Sequence, residues 1–319
     1  MKSKSLFLSL IVLLLIAGSF NVAKADTVLF PVIAVNYPNV TTIVTVTNQG
    51  PTSGYLKYIY SYKPPFIGGS PNYSGGCGVV PFVMPTWAPD VVSFDASGAI
   101  GGGQALYNDP DNYGGAFDIA VSGPSRSYLL VTNSNSTGDR LNVGSTGSLS
   151  GEAIIMDIFA GAAWGYKAVN DPSREDYTFT SANLLTSLEP GDAPRFAFFP
   201  PAIWTTRFFV TPIGADMYAV DLTTTIALYR ANPFVYGIYG RGANAYSFYV
   251  PQFVRCTAAV DLRDLMDSTA WAGIYYTGGW GRLGIVSGSA AYIYKLEYVV
   301  NNYAYGGTNN NAYQLSAVW

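Results

Sequence analysis

Apolar residues in this chain recur at every second position, and almost nowhere at the spacing of a helix. In "TTIVTVTNQG" (41–50), Thr42, Val44 and Val46 alternate with Ile43, Thr45 and Thr47 before an Asn-Gln-Gly turn. In "YLKYIYSYKPP" (55–65), Leu56, Tyr58, Tyr60 and Tyr62 share one parity, with Lys57, Ser61 and Lys63 on the other. Successive side chains of an extended chain point to opposite sides, so a period of two describes a sheet with two distinct faces. Pro64-Pro65 ends that run, because proline has no N–H to give a ladder. Further segments of this kind are 116–122, 127–133, 152–159, 164–169, 207–212, 217–229, 245–250, 254–261, 271–277, 283–287 and 290–300. The last sets Tyr292, Tyr294, Leu296 and Tyr298 opposite Lys295 and Glu297. Helical periodicity is confined to a turn or two within 173–191 and a short connector from Asp261 to Asp267. Short strands this closely spaced, with Gly, Pro, Asn or Asp between them, predict an all-β fold. The expected architecture is an antiparallel β-sandwich, immunoglobulin-like or jelly-roll-like, built as two packed sandwich units.

The most polar stretch, 170–195, contains Asp171-Pro172, Glu189-Pro190-Gly191 and Ala193-Pro194 and separates two segments of domain size. The division expected from it is a sandwich over 26–180, then a second β-rich domain, or a continuation of the same sandwich, over 181–319. "TVLFPVIAVNYPNVTTIVTVTN" and "FAFFPPAIWTTRFFVTPIG" both run from apolar-Phe-Pro into a β-rich segment, a faint echo that fits two units.

Residues 1–25 read as a cleaved signal peptide. Lys2 and Lys4 precede an apolar run from Leu6 to Ala17, and Ala23-Lys24-Ala25 supplies small residues at −3 and −1. The run is shorter than the roughly 20 residues of a transmembrane helix. Cleavage leaves 294 residues (319 less 25), and removal of Lys2, Lys4 and Lys24 takes the formal charge from −3 to −6. Cys77 and Cys256, an even pair in an exported chain, are expected to form a disulfide. The destination expected is the cell surface or the medium, with the outer membrane as the alternative. For an outer-membrane barrel speak the tyrosine wealth and the terminal "AYQLSAVW", where Tyr313, Leu315, Ala317 and Trp319 share one parity. Against it stand "VVPFVMPTWAP" and "FFPPAIW", apolar stretches interrupted by proline where a spanning strand needs an unbroken ladder.

The chain has no histidine. That removes Ser-His-Asp and Cys-His nucleophile activation, ordinary zinc sites and CxxCH haem attachment. Glycoside hydrolysis needs only two carboxylates. Its candidates are Glu152 and Asp157 in "GEAIIMDIF" and Asp118 in "FDIAV", but Glu152 and Asp157 lie five apart and so face opposite sides of a flat strand. "DPDNYGG" (109–115) places Asp109 and Asp111 as weak calcium candidates. Tyr113 and Ala120 stand where an EF-hand needs a ligand and its bidentate Glu. "GAIGGGQ" (98–104) lacks the Lys-Ser/Thr of a phosphate loop. No catalytic residue and no cofactor is assigned. An acidic chain without a basic run offers nothing to nucleic acid.

Charged residues make up 12%, about half the usual share, while tyrosine reaches 25 residues. Such a surface favours association, either with copies of itself or with other cell-surface components. Tyr292, Tyr294, Tyr298, Tyr313 and Trp319 are the expected interaction face. Exposed tryptophans among Trp87, Trp164, Trp204, Trp271, Trp280 and Trp319 offer stacking surfaces to polysaccharide. Asn39, Asn72 and Asn135 head N-glycosylation sequons, which matter only where the source cell glycosylates its exported proteins.

"DTVLFPVIAVNYPNVTTIVTVTNQG", "YLKYIYSYK" and "LSGEAIIMDIFAGAAWGYKAVND" together resemble exported bacterial surface proteins with immunoglobulin-like sandwiches. The resemblance covers the first half of the chain. It implies a fold without an activity and carries over no catalytic residue. The expected role is therefore structural, in assembly or in adhesion. A secreted carbohydrate-binding protein or glycoside hydrolase stands beside the barrel as an alternative.

Overall fold

The computed structural model describes residues 27–36, 38–50, 54–87, 89–97, 105–108, 124–141, 149–158, 162–170, 178–179, 187–231, 235–299 and 312–317. The expected signal peptide, Asp109, Asp111, Asp118 and Trp319 lie outside them.

Four sheets carry the fold. Sheet I runs β12 (Val169–Asn170), β1 (Thr27–Val35), β9 (Ser125–Ser134), β3 (Gly54–Lys63) and β6 (Gly78–Thr86) in spatial order. Sheet II runs β11 (Ala162–Lys167), β10 (Leu149–Asp157), β2 (Val40–Asn48), β7 (Asp90–Asp95) and β8 (Ala105–Asn108). Sheet III runs β17 (Ala245–Tyr246), β16 (Ile238–Gly240), β20 (Gly279–Gly288), β15 (Thr223–Tyr229) and β18 (Gln252–Arg255), with β13 (Arg195–Phe198) also paired to β20. Sheet IV runs β19 (Ala258–Asp261), β14 (Thr205–Pro212), β21 (Ala291–Val299) and β22 (Ala312–Ala317). A small hairpin, β4 (Phe66–Ile67) and β5 (Ser70–Pro71), turns on Gly68 and Gly69, both at positive φ as such a tight turn requires. Each sheet has two open ends among the described residues, so the architecture is an all-β sandwich type and no sheet closes into a barrel.

Alternation places the cores. Val28, Phe30, Val44, Val46, Tyr58 and Phe94 fill the space between sheets I and II. Phe208, Val210, Leu228, Ile238, Leu283 and Ile293 do the same between sheets III and IV. A third cluster, with Leu29, Ile59, Leu130, Ile213, Met217 and Tyr292, packs the opposite face of sheet I against the second half. Sheet I is thus covered on both sides, which is why all nine residues of β1, "TVLFPVIAV", are buried and all but Thr27 are apolar. Each large side chain so enclosed contributes about 1.5–3 kcal/mol over its exposed state.

Proline is accommodated in two ways. Pro31 sits in β1, at a register shift between Phe30 and Ile33. There the Tyr166 hydroxyl receives the Val32 N–H at 3.1 Å and donates to the Val32 carbonyl at 2.5 Å, in place of a strand neighbour. Pro81 and Pro85, read from sequence as strand breakers, lie within β6 opposite Ile59 and Tyr55. They are tolerated because β6 is the last strand of its sheet and needs donors on one side only.

Several expected strands are corrected, and of 245–250 only Ala245–Tyr246 is a strand. Residues 271–277 are not extended: a helix spans Ser268–Ile274, because Asp267 accepts the Ala270 N–H at 2.7 Å and Ala270 and Ile274 sit one turn apart facing the second core. Residues 254–261 split at Cys256, whose φ of 65° turns the chain from sheet III into sheet IV. Of 217–229 only Thr223–Tyr229 is a strand, since Asp216 to Val220 forms a turn.

Candidate binding surface on the third sheet

In β20, "GWGRLGIVSG", Gly281, Leu283 and Ile285 are buried, while Trp280 and Arg282 take the other parity and face outward. Trp280 is 37% exposed. Tyr239 of β16 stands opposite it on one side and Ala197 of β13 on the other. The Tyr239 ring stacks on the indole, 4.4 Å between centroids and 21° between planes. β16 can come this close because position 279 is glycine: a Cβ there would lie 2.1 Å from the Tyr239 carbonyl oxygen. On the far side the short Ala197 side chain leaves a depression of about 310 Å³, lined by Arg195, Phe196, Ala197 and Trp280.

Arg195 lines this depression, with Arg282 on the neighbouring strand. Arg195 and Arg282 are directly opposite each other across β13 and β20. Arg282 donates to the Ala193 carbonyl at 2.8 Å, and Arg195 is exposed. Beyond Arg282, Tyr229 is buried in a small cluster with Ala193 and Ala227, and Tyr236 and Tyr249 pack outward from it, with ring centroids 4.7 and 4.3 Å apart. Burial, and then the neighbouring Tyr236, push the Tyr229 phenol above its ordinary value, so it is a neutral donor at any physiological pH.

A buried ion pair fixes the backbone beneath. Lys295 of β21 donates to the Ala197 carbonyl at 2.7 Å and pairs with Glu297 at 3.2 Å. Glu297 in turn accepts the Phe199 N–H at 2.9 Å and the Thr206 hydroxyl at 3.0 Å. The residues beside Trp280 are thus held from sheet IV through charge-assisted hydrogen bonds. A rigid aromatic face with guanidinium donors at its rim suits a pyranose ring.

The expected interaction stripe has another place. Tyr292 is 4% exposed within the third core. The Tyr294 ring lies 5.3 Å from that of Tyr166, and Tyr298 packs against the first core. Burial pushes the Tyr294 phenol up. Of the described side chains in this stripe, Tyr292 is thus buried and Tyr294 and Tyr298 are half-buried along the seam between the two halves. Tyr313 stands opposite Tyr298 in the backbone register of β22 on β21.

Glu152 and Asp157 both lie on β10, Glu152 exposed and Asp157 half-buried on the other parity. Five residues of strand separate their Cα atoms by about 17 Å, well beyond the roughly 5–10 Å between the carboxyls of a glycosidase. The sulfurs of Cys77 and Cys256 stand at bonding distance, with Cα atoms 6.1 Å apart. Asp221 lies beside them, accepting the Cys77 N–H at 3.1 Å and pairing with Arg255 at 3.2 Å. With both sulfurs joined, no thiolate is left to ligate a metal there. The Asn72 side chain is buried and bonded to the Pro64 carbonyl, so its sequon is not presented to a glycosylating enzyme.

A comparison with protein-family models gives no match, and comparisons with curated proteins and with solved structures give none either.

Proposed function

We propose that the protein is an exported, non-enzymatic β-sandwich protein that adheres to polysaccharide at or outside the cell surface, with the outer face of sheet III as its contact surface. The observation that carries this reading is the Trp280 ring standing beside the depression above Ala197, with Arg195 in its wall. The signal-peptide pattern and the low share of charged residues support it, as does the lack of histidine. Tyr292 is buried and Tyr294 and Tyr298 are half-buried, so the Trp280 face is the more open contact surface of the two.

The test is co-sedimentation of the mature chain with a panel of insoluble polysaccharides, scoring both bound protein and released reducing ends. Saturable binding without release of reducing ends is the expected result. Release of reducing ends would show an enzyme, and failure to bind any polymer would remove the adhesive reading. Formation of a dimer dissolved by Trp280→Ala, with no polymer bound, would replace the polysaccharide by a second copy of the chain.

A further inference from the structure

At the seam between the two halves, two cavities of about 160 and 100 Å³ share Arg126 and Arg207 in their walls. The larger is closed by Lys63, Phe66, Tyr73 and Ala259, the smaller by Trp164 and Tyr298. The other polar groups of the larger cavity are engaged. Arg207 holds Asp261 through two bonds of 2.6 and 3.0 Å and lies over the Tyr298 ring at 5.6 Å. Lys63 gives its ammonium to three carbonyls, those of Tyr73, Gly75 and Arg255, at 2.8, 3.0 and 2.7 Å. The Tyr73 hydroxyl donates to Asp264 at 2.6 Å.

Arg126 differs. It reaches only the Ser125 carbonyl, at 3.2 Å, and its Nε is buried with no hydrogen-bond partner. No carboxylate among the described residues is bonded to it. Burial, and then the Arg207 charge, bring its pKa down to about 10, so the group is still a cation at neutral pH. Arg126 is half-buried, and its enclosed Nε–H is an unmet donor that a bound acceptor would satisfy.

We propose that this seam binds a short-chain monocarboxylate, with Arg126 as the fork that receives it. Two carboxylate oxygens match two parallel N–H groups of a guanidinium. Phe66, Pro65, Pro71 and Ala258 offer an apolar wall to a hydrocarbon body of a few carbons. Asp261 and Asp157, which also line the cavities, oppose a second negative charge and select a monoanion over a phosphate dianion. Phe66 is 57% exposed on the small hairpin, which places the mouth of the site at the surface. The site lies away from the Trp280 face and stands independently of the adhesive reading.

The experiment is a thermal-unfolding titration of the mature chain with sodium butyrate, against sodium chloride and inorganic phosphate at equal ionic strength. At a hundred times its dissociation constant butyrate raises the midpoint by about 4 °C, saturably, and the two controls do not. Arg126→Met abolishes the rise, and so does Ala259→Leu, which fills the cavity and leaves the guanidinium in place. Both variants are first shown to keep the wild-type far-ultraviolet spectrum, and if Arg126→Met does not fold, Ala259→Leu decides alone. The proposal is overturned by no saturable rise, by an equal rise with phosphate, or by a rise that survives in a folded variant.

Discussion

Replacing Cys77 by Ser and Cys256 by Ala opens a loop closed across a sequence separation of 179 residues. The chain-entropy relation puts the stabilisation from closing a loop of that length at about 5 kcal/mol. Native-state adjustments usually reduce such figures, so the expected loss is about 3–5 kcal/mol. With an unfolding entropy of about 2 cal/mol/K per residue, this corresponds to roughly 5–8 °C in midpoint. The assay is urea unfolding of the oxidised wild type, the reduced wild type and the double variant, and the last two should coincide. A second substitution refines the argument. Cys256 sits at a φ of 65°, a left-handed conformation that costs a residue bearing a Cβ about 1 kcal/mol. Cys77→Ser with Cys256→Gly should therefore be about 1 kcal/mol more stable than the Ala version. A double variant within 1 kcal/mol of the oxidised wild type would refute the reasoning, as would two titratable thiols in the unreduced, unfolded protein.

Other outcomes follow from the same contacts. Glu297→Ala strips Lys295 of its buried counter-ion and should cost about 3–5 kcal/mol in chemical denaturation, whereas Lys295→Met with Glu297→Leu should recover most of that loss. Burial raises the phenols of Tyr58, Tyr60 and Tyr166, and takes Tyr128 to about 12. These tyrosines stay protonated in the folded chain while the unfolded chain ionises near pH 10. Their contribution is therefore complete below pH 10 and is lost above it, at up to about 1.4 kcal/mol per pH unit for each. Ultraviolet titration should show them ionising together in one step coincident with unfolding; independent ionisation in a still-folded protein would contradict their burial.

The alternation in "TTIVTVTNQG", "YLKYIYSYK" and 290–300 was enough to place β2, β3 and β21 and the parity of their faces. What burial did with those faces was not readable locally. Tyr292 and Tyr294 look suited to a half-wet surface, yet sheet I covers them, and that contact depends on how the two halves pack. The prolines at 81 and 85 read as breaks because edge position is a property of the sheet and not of the strand. Residues 271–277 alternate as a strand would, but the Asp267 cap lies outside that window and decides for helix. Trp280 was visible as one tryptophan of six. Its distinguishing signal, "GWGRLGI", combines flanking glycines that admit close neighbours with an inward Leu283 and Ile285 that force the indole outward. Ala197, which leaves the space beside it, arrives from another strand and leaves no local mark.

The adhesive account is tested most directly by comparing two exposed tryptophans in one titration. Trp280 is 37% exposed and Trp87, in the first half of the chain, is 51% exposed. The binding constant for a soluble oligosaccharide of whichever polymer the mature chain sediments with is measured for wild type, Trp280→Ala and Trp87→Ala. Loss of one stacked aromatic should weaken binding at least tenfold in Trp280→Ala, about 1.4 kcal/mol or more, and leave Trp87→Ala within a factor of two. Equal affinity in all three proteins, or an effect confined to Trp87→Ala, would contradict the assignment of sheet III as the contact surface.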